Sequence, residues 1–230
     1  MSSGEGRSSR ILVTGFGPFP GVAVNRSGAL SEQVAEAAHR AFPGVRATPI
    51  VLPTEWQAGP AVLAAALART EPDIALHFGV SSRAHGFVVE TVGRNRCRLK
   101  ADAAGAGPAS ADLSPEGPAS LSCAPEARRI AAALRRLDLP VSLSSDAGDY
   151  LCNAVFFHSL AAAAAGGGRR VAFIHIPVAA AAGRAAGTAA GRGLCDKSLV
   201  AGGLAALAVM AGRQPAPPDG RRRHDDGRGF

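Results

Sequence analysis

The run Asp73-Ile74-Ala75-Leu76-His77-Phe78 decides the fold class. It is a strand buried by its composition, and short apolar strands of this kind are the habit of sheets covered on both faces. Working outward, residues 11–14 and 46–51 read as further strands. Between them, 26–41 and 55–69 read as helices, with Asn25 near the start of the first. Downstream, 87–92 fits a fourth strand and 100–118 a long Ala/Gly/Pro/Asp loop. A helix over 125–137, a strand over 141–144, a helix over 149–165, a strand over 170–176 and a helix over 195–211 complete the pattern. Alternation of strand and helix predicts α/β layers around a mainly parallel, mixed sheet. Sites in open sheets of this class form beyond the carboxyl ends of strands. One domain is expected over 10–212, flanked by a flexible start, 1–9, and a disordered Arg/Pro/Gly/Asp-rich tail, 213–230.

The chain of 230 residues is long enough to bury a core without staples. Apolar residues make up 47% but aromatics only 5%, so alanine and glycine fill much of the interior, and helices can approach closely while burying little area per residue. The net charge is +7 and the pI about 10.2. Arg221, Arg222 and Arg223 lie in the tail, diluted by Asp219, Asp225 and Asp226, and no basic stripe alternates with aromatics. Charge without such a motif does not point to nucleic acid. Cys97, Cys123, Cys152 and Cys195 form no CxxC pair, so no metal is expected. Residues 1–10 lack the apolar core of a signal peptide, and no run of large apolar residues reaches membrane-spanning length. A soluble cytoplasmic protein with reduced thiols is expected.

Four segments carry chemistry. Thr14-Gly15-Phe16-Gly17-Pro18-Phe19 follows the first strand and leads to Asn25-Arg26-Ser27. It has neither the Lys-Ser/Thr of a P-loop nor G-x-G-x-x-G. Its two rings either plug the core or wall an apolar pocket. Asp146-Ala147-Gly148-Asp149-Tyr150-Leu151-Cys152-Asn153 places Cys152 in the first turn of a helix. Free N–H groups and the positive dipole end there stabilise a thiolate and can hold an oxyanion. The competing reading is a cysteine used as a small buried hydrophobe. Val171-Ala172-Phe173-Ile174-His175-Ile176-Pro177 puts His175 near the carboxyl end of a strand, where it is either a satisfied core histidine or a group projecting into a site. His39, His158 and His224 look like surface or packing residues, whereas His77 and His85 are less easily set aside. In Gly86-Phe87-Val88-Val89-Glu90-Thr91-Val92, Glu90 breaks an apolar stretch and needs a partner, either an arginine or the catalytic histidine. A Cys–His pair oriented by a third group is the general nucleophile arrangement.

Together these segments resemble the pyroglutamyl peptidase I family. The likeness runs from Ile11 to about Pro177 and rests on GFGPF with N-x-S, L-P-x-x-W at Leu52 to Trp56, E-x-x-x-x-N at Glu90 to Asn95, S-x-x-A-G-x-Y-L-C-N and F-I-H-I-P. The resemblance implies a three-layer α/β/α sandwich, a cytoplasmic homo-tetramer and no cofactor. It implies catalysis by Cys152 as nucleophile, His175 as base and Glu90 as acid, on peptides with N-terminal pyroglutamate. Phe16 and Phe19 would sandwich the pyroglutamyl ring, and Asn25 would bond its polar edge. The sequence departs from the family pattern at Arg26, Pro20 and Gly93, and in Gly79-Val80-Ser81-Ser82-Arg83-Ala84-His85-Gly86. A family arginine beyond Asn95 has two candidates here, Arg98 and Lys100. These departures bear on contacts to the leaving peptide and leave the three catalytic positions intact. A different hydrolase or amidase on the same scaffold, or a non-catalytic binding module retaining the triad, are the alternatives.

Overall fold

The computed structural model describes residues 9–166, 168–178 and 194–213. In chain order the elements are β1 (Ser9–Phe16), α1 (Arg26–Ala41), β2 (Val45–Leu52), α2 (Ala58–Thr70), β3 (Ile74–Ser81), β4 (Phe87–Glu90), β5 (Val92–Arg94), β6 (Ser120–Ser122), α3 (Ala124–Arg136), β7 (Val141–Ser144), α4 (Leu151–Ala164), β8 (Arg170–Pro177) and α5 (Asp196–Ala211). The main sheet has the order β2-β1-β3-β8-β4-β7. Every neighbouring pair is parallel except β8 with β4, which is antiparallel, so the sheet is mixed and mainly parallel as expected.

Side chains alternate across a strand, and here both faces are apolar. Ala172, Ile174 and Ile176 of β8 join Ile11 and Val13 of β1 in one core, which α1, α3 and α5 cover. Val171 and Phe173 join Leu12, Phe16 and Ala75 in a second core, under α2 and α4. Helices on both faces of the sheet give the three layers. Close approach replaces bulk where the sequence is poor in aromatics. A Cβ on Gly15 would lie 1.9 Å from the Ser27 carbonyl oxygen, so only glycine lets β1 touch the start of α1.

Two boundaries differ from the expected ones. The helix read from 55 begins at Ala58, because residues 55–57 form a turn in which the Trp56 N–H goes to Asp102 Oδ2 at 2.8 Å. The single strand read over 87–92 is two. Thr91 ends the β4–β7 ladder by giving its N–H and hydroxyl to the Ser144 carbonyl. Its own carbonyl accepts from Cys123 N and Ser122 Oγ, which turns the chain into the separate β5–β6 pair. Of the expected ends, 1–9 and 213–230, only Ser9 and Arg213 fall within the described residues. Among the described residues no helix is long and apolar enough to cross a membrane.

His77 proves to be a structural tie. It is fully buried, with Nδ1 2.8 Å from Thr14 Oγ1 on β1 and Nε2 2.9 Å from Ser159 Oγ on α4. Burial, and then the charge of Arg169, push its pKa down from 6.5 to about 3. The neutral ring therefore supports the fold fully above pH 6.5, and that support is lost as pH falls towards 3. We expect His77→Gln, which can still donate and accept but cannot titrate, to remove this dependence. Urea unfolding between pH 4 and 7 should show a wild-type slope steeper than the variant's by up to about 1.4 kcal/mol per pH unit. Parallel curves would overturn the assignment of a buried neutral ring.

Candidate active site

Strand register builds the site. His175 lies opposite Gly79 of the parallel neighbour β3 and opposite Val88 of the antiparallel neighbour β4. Directly paired residues share a face, and so do residues two apart on one strand. Glu90, two beyond Val88, is thus the diagonal neighbour of His175 on the face covered by α4. His175 Nδ1 and Glu90 Oε1 are 2.8 Å apart, and both residues are buried. On the remaining flank, a Cβ on Gly79 would come within 2.9 Å of both Cys152 Sγ and the Phe173 ring. The missing side chain is the space the thiol occupies. Gly79 carried no functional reading in the sequence, although a lone glycine near the end of a buried strand signals close approach.

Cys152 is the second residue of α4, after Tyr150, which has no side-chain cap bond. The first intrahelical bond runs from Ala154 N to Tyr150 O, so the N–H groups before it have no acceptor within the helix. Asn153 holds this turn against the β5 segment: its Oδ1 accepts from Arg94 N at 2.9 Å, and its Nδ2 donates to the carbonyls of Arg94 and Arg96, both at 2.8 Å. Trp56, of the L-P-x-x-W motif, packs edge-on against Tyr150 and donates its Nε1–H to the Lys100 carbonyl.

Charge in the site is concentrated on the histidine. Burial opposes an imidazolium there, yet hydrogen bonding and charge from Cys152, then from Glu90, raise the His175 pKa to about 10. The Glu90 carboxylate reinforces this from a second direction. Its Oε2 is buried with no hydrogen-bond partner among the described residues, and the charge of His175 is the counterion of the carboxylate. Phe173, 4.9 Å from the His175 ring, closes the inner side. The other thiols differ. Burial, then the charge of Glu126, pushes Cys123 up to about 12, and burial with the charges of Asp112 and Asp149 raises Cys97. Cys195 is exposed, and a hydrogen bond from Ser198 lowers its pKa.

Cys152, His175 and Glu90 share one pocket of about 710 Å³. Arg98 lines it and bonds Asp149 at 2.9 Å, whereas Lys100 sits over the Tyr150 ring, 5.6 Å from its centroid. Phe16, Phe19 and Asn25 do not line it. Phe16 is 2% exposed in the core beneath α2, and Phe19 is half-buried in the following turn. Asn25 is the N-cap of α1: its Oδ1 accepts from the N–H and hydroxyl of Ser27, and its Nδ2 donates to the Gly17 carbonyl. Of the remaining histidines, His39 and His85 are exposed, His158 is half-buried and His224 lies outside the described residues.

A model of the pyroglutamyl peptidase family matches residues 9–211. The chain is 32% identical over 216 residues to a pyrrolidone-carboxylate peptidase of Streptomyces coelicolor, covering 92% of this chain and 95% of that one. It is 31% identical over 172 residues to that of Gloeobacter violaceus, covering 73% and 81%. Among solved structures, pyroglutamyl peptidase I of Bacillus amyloliquefaciens superposes with a TM-score of 0.75 at 26% identity, covering 88% of this chain and 97% of that one. A mutant pyrrolidone carboxyl peptidase of Pyrococcus furiosus has a TM-score of 0.74 at 24% identity, over 88% of this chain and 98% of that one, and speaks for the fold alone.

Proposed function

This chain belongs to the pyroglutamyl peptidase family, and we propose that it hydrolyses the bond after an N-terminal pyroglutamyl residue with Cys152 as nucleophile, His175 as general base and acid, and Glu90 as the group that orients the histidine. It is a cysteine-type peptidase whose substrates are peptides beginning with pyroglutamate. The observation that carries the triad is the 2.8 Å contact of His175 Nδ1 with Glu90, which leaves Nε2 for Cys152 on the other side of the ring.

His175 takes the Cys152 proton, and the causes that raise the histidine to about 10 favour keeping it there. The thiolate attacks the carbonyl carbon of the pyroglutamyl residue, and the oxyanion takes N–H bonds from the first turn of α4. One such donor is typically worth about 3 kcal/mol. The imidazolium gives its Nε2 proton to the leaving amine, the C–N bond breaks and a thioester remains. Water then attacks the thioester, losing a proton to His175, and pyroglutamate leaves as the ion pair re-forms. Phe16, Phe19 and Asn25 are proposed for the ring. Their loop follows β1, which neighbours β3, and Asn25 would exchange the Gly17 carbonyl for the lactam. The same reading gives a homo-oligomer, a tetramer by family likeness, working in the cytoplasm without a cofactor.

The test is release of a chromophore from a pyroglutamyl amide before and after iodoacetamide. Because Cys195 is exposed and acidified, the measurement belongs in Cys195→Ser. Turnover should be close to wild type in that variant and be lost on alkylation. Full activity after complete labelling of Cys152 would sink the nucleophile assignment. No hydrolysis of the amide by the untreated protein would sink the activity itself.

A further inference from the structure

The pocket in front of Cys152 has more charge on its walls than the reaction uses. The ionic groups beside the Cys152–His175 pair are Arg83, Arg96, Arg98, Asp146, Asp149 and Glu90. Arg96 pairs with Asp146 at 3.2 Å, Arg98 with Asp149 at 2.9 Å, and Glu90 serves His175. Arg83 is different. In the described structure its guanidinium has no acidic partner, and its backbone N–H alone is engaged, donating to Ser81 Oγ at 3.2 Å. It is exposed and lies between β3 and β4. Each of the other arginines on these walls is held by an aspartate, so Arg83 is the one guanidinium among the described lining residues with no carboxylate against it.

We propose that Arg83 reads a carboxylate in the leaving part of the substrate, so that the protein prefers pyroglutamyl peptides with an acidic second residue over those with a basic one. This rests on the reading that Cys152 attacks the pyroglutamyl carbonyl within this pocket. The pyroglutamyl residue is a neutral lactam and offers no charge to a guanidinium. The side chains proposed for its ring do not line the pocket, and about 710 Å³ is the size class that holds a drug-sized ligand rather than one small ring. What remains to occupy the space beside Arg83 is the peptide beyond the scissile bond. A planar guanidinium matches a carboxylate with two parallel N–H bonds. The carboxylate can be an Asp or Glu side chain at the second position or the free terminus of a dipeptide.

Four substrates separate these cases: pyroglutamyl-glutamyl amide, pyroglutamyl-alanyl amide, pyroglutamyl-lysyl amide and the free acid pyroglutamyl-alanine. The expected kcat/KM order at low salt is glutamyl over alanyl over lysyl, with about two- to fivefold per step, the scale of an exposed ion pair. The steps should shrink at 0.5 M NaCl. In Arg83→Gln the ratios should fall towards one, and in Arg83→Glu they should invert. Ratios within one preparation are read, so a general loss of activity in a variant does not affect them. If the free acid outruns the alanyl amide and Arg83→Gln removes that advantage, the carboxylate is read at the chain terminus. A ranking that survives Arg83→Gln, or an equal fall for every substrate, overturns the proposal. Hydrolysis of all the peptides with no charge ranking overturns it alone, whereas hydrolysis of none overturns the parent reading as well.

Discussion

Cys152→Ser should reduce turnover of a pyroglutamyl amide by at least about a thousandfold and leave the fold and its thermal transition within about 1 kcal/mol of wild type. The size follows from the chemistry. A serine hydroxyl at neutral pH is a far weaker nucleophile than a thiolate. The hydroxyl must give up its proton to His175 during the attack, and the variant lacks the Cys152 sulfur whose hydrogen bond and charge are the first causes that raise His175. Knocking out the nucleophile of a triad removes most of what the whole triad contributes. The stability half of the prediction follows from packing. Oxygen is smaller than sulfur, and the space beside Gly79 already accepts the larger atom. The equivalent changes at Cys97, Cys123 and Cys195 should leave turnover within a few-fold of wild type. Retained activity in Cys152→Ser, with loss in one of the others, would move the site elsewhere.

Sequence patterning is direct about some of this architecture and silent about the rest, for reasons that particular residues show. Periodicity and apolar runs are local properties, so β1, β3 and β8 and the helices between them were legible. His175 and Glu90 stood out because each interrupts an apolar strand, and buried polarity must be answered by something. Their mutual contact was not legible from spacing. It depends on β4 running against β8 while β3 runs with it, a choice made by the whole sheet. Thr91 shows the same limit on a smaller scale. Residues 87–92 read as one strand because their composition is continuous, and the hand-over to β6 is set by hydrogen bonds to Ser144, Ser122 and Cys123. Gly79 and Arg83 mark the other boundary of what a single sequence reveals. A glycine that makes room and an arginine left without a partner acquire meaning only once their neighbours are placed.

Glu90→Gln should lower kcat by about a hundredfold or more, with a smaller change in KM, and should pull in the alkaline limb of the pH profile. The amide keeps the shape of the carboxylate and can still accept a hydrogen bond, so His175 should stay roughly in place. What it loses is the charge that stabilises the imidazolium, and an asparagine in the corresponding role of the serine triad costs about ten-thousandfold. The sign of the pH effect follows from the causes acting on His175. Burial lowers its pKa, while Cys152 and Glu90 raise it to about 10. Deleting the Glu90 charge removes one of the raising causes, so the proton is lost at a lower pH and the acid needed by the leaving amine disappears earlier. The profile of kcat/KM should therefore fall on its alkaline side at lower pH in the variant than in wild type. A merely structural carboxylate would behave differently: its replacement would lower stability and the amount of active protein while leaving the position of that limb unchanged. Since Glu90 Oε2 has no hydrogen-bond partner among the described residues, Gln at this position leaves a buried amide N–H₂ to be satisfied, at a cost of about 1–3 kcal/mol. Urea unfolding of the variant measures that term separately, so the shift of the limb can be read as chemistry. An unshifted limb with unchanged kcat would remove Glu90 from the triad.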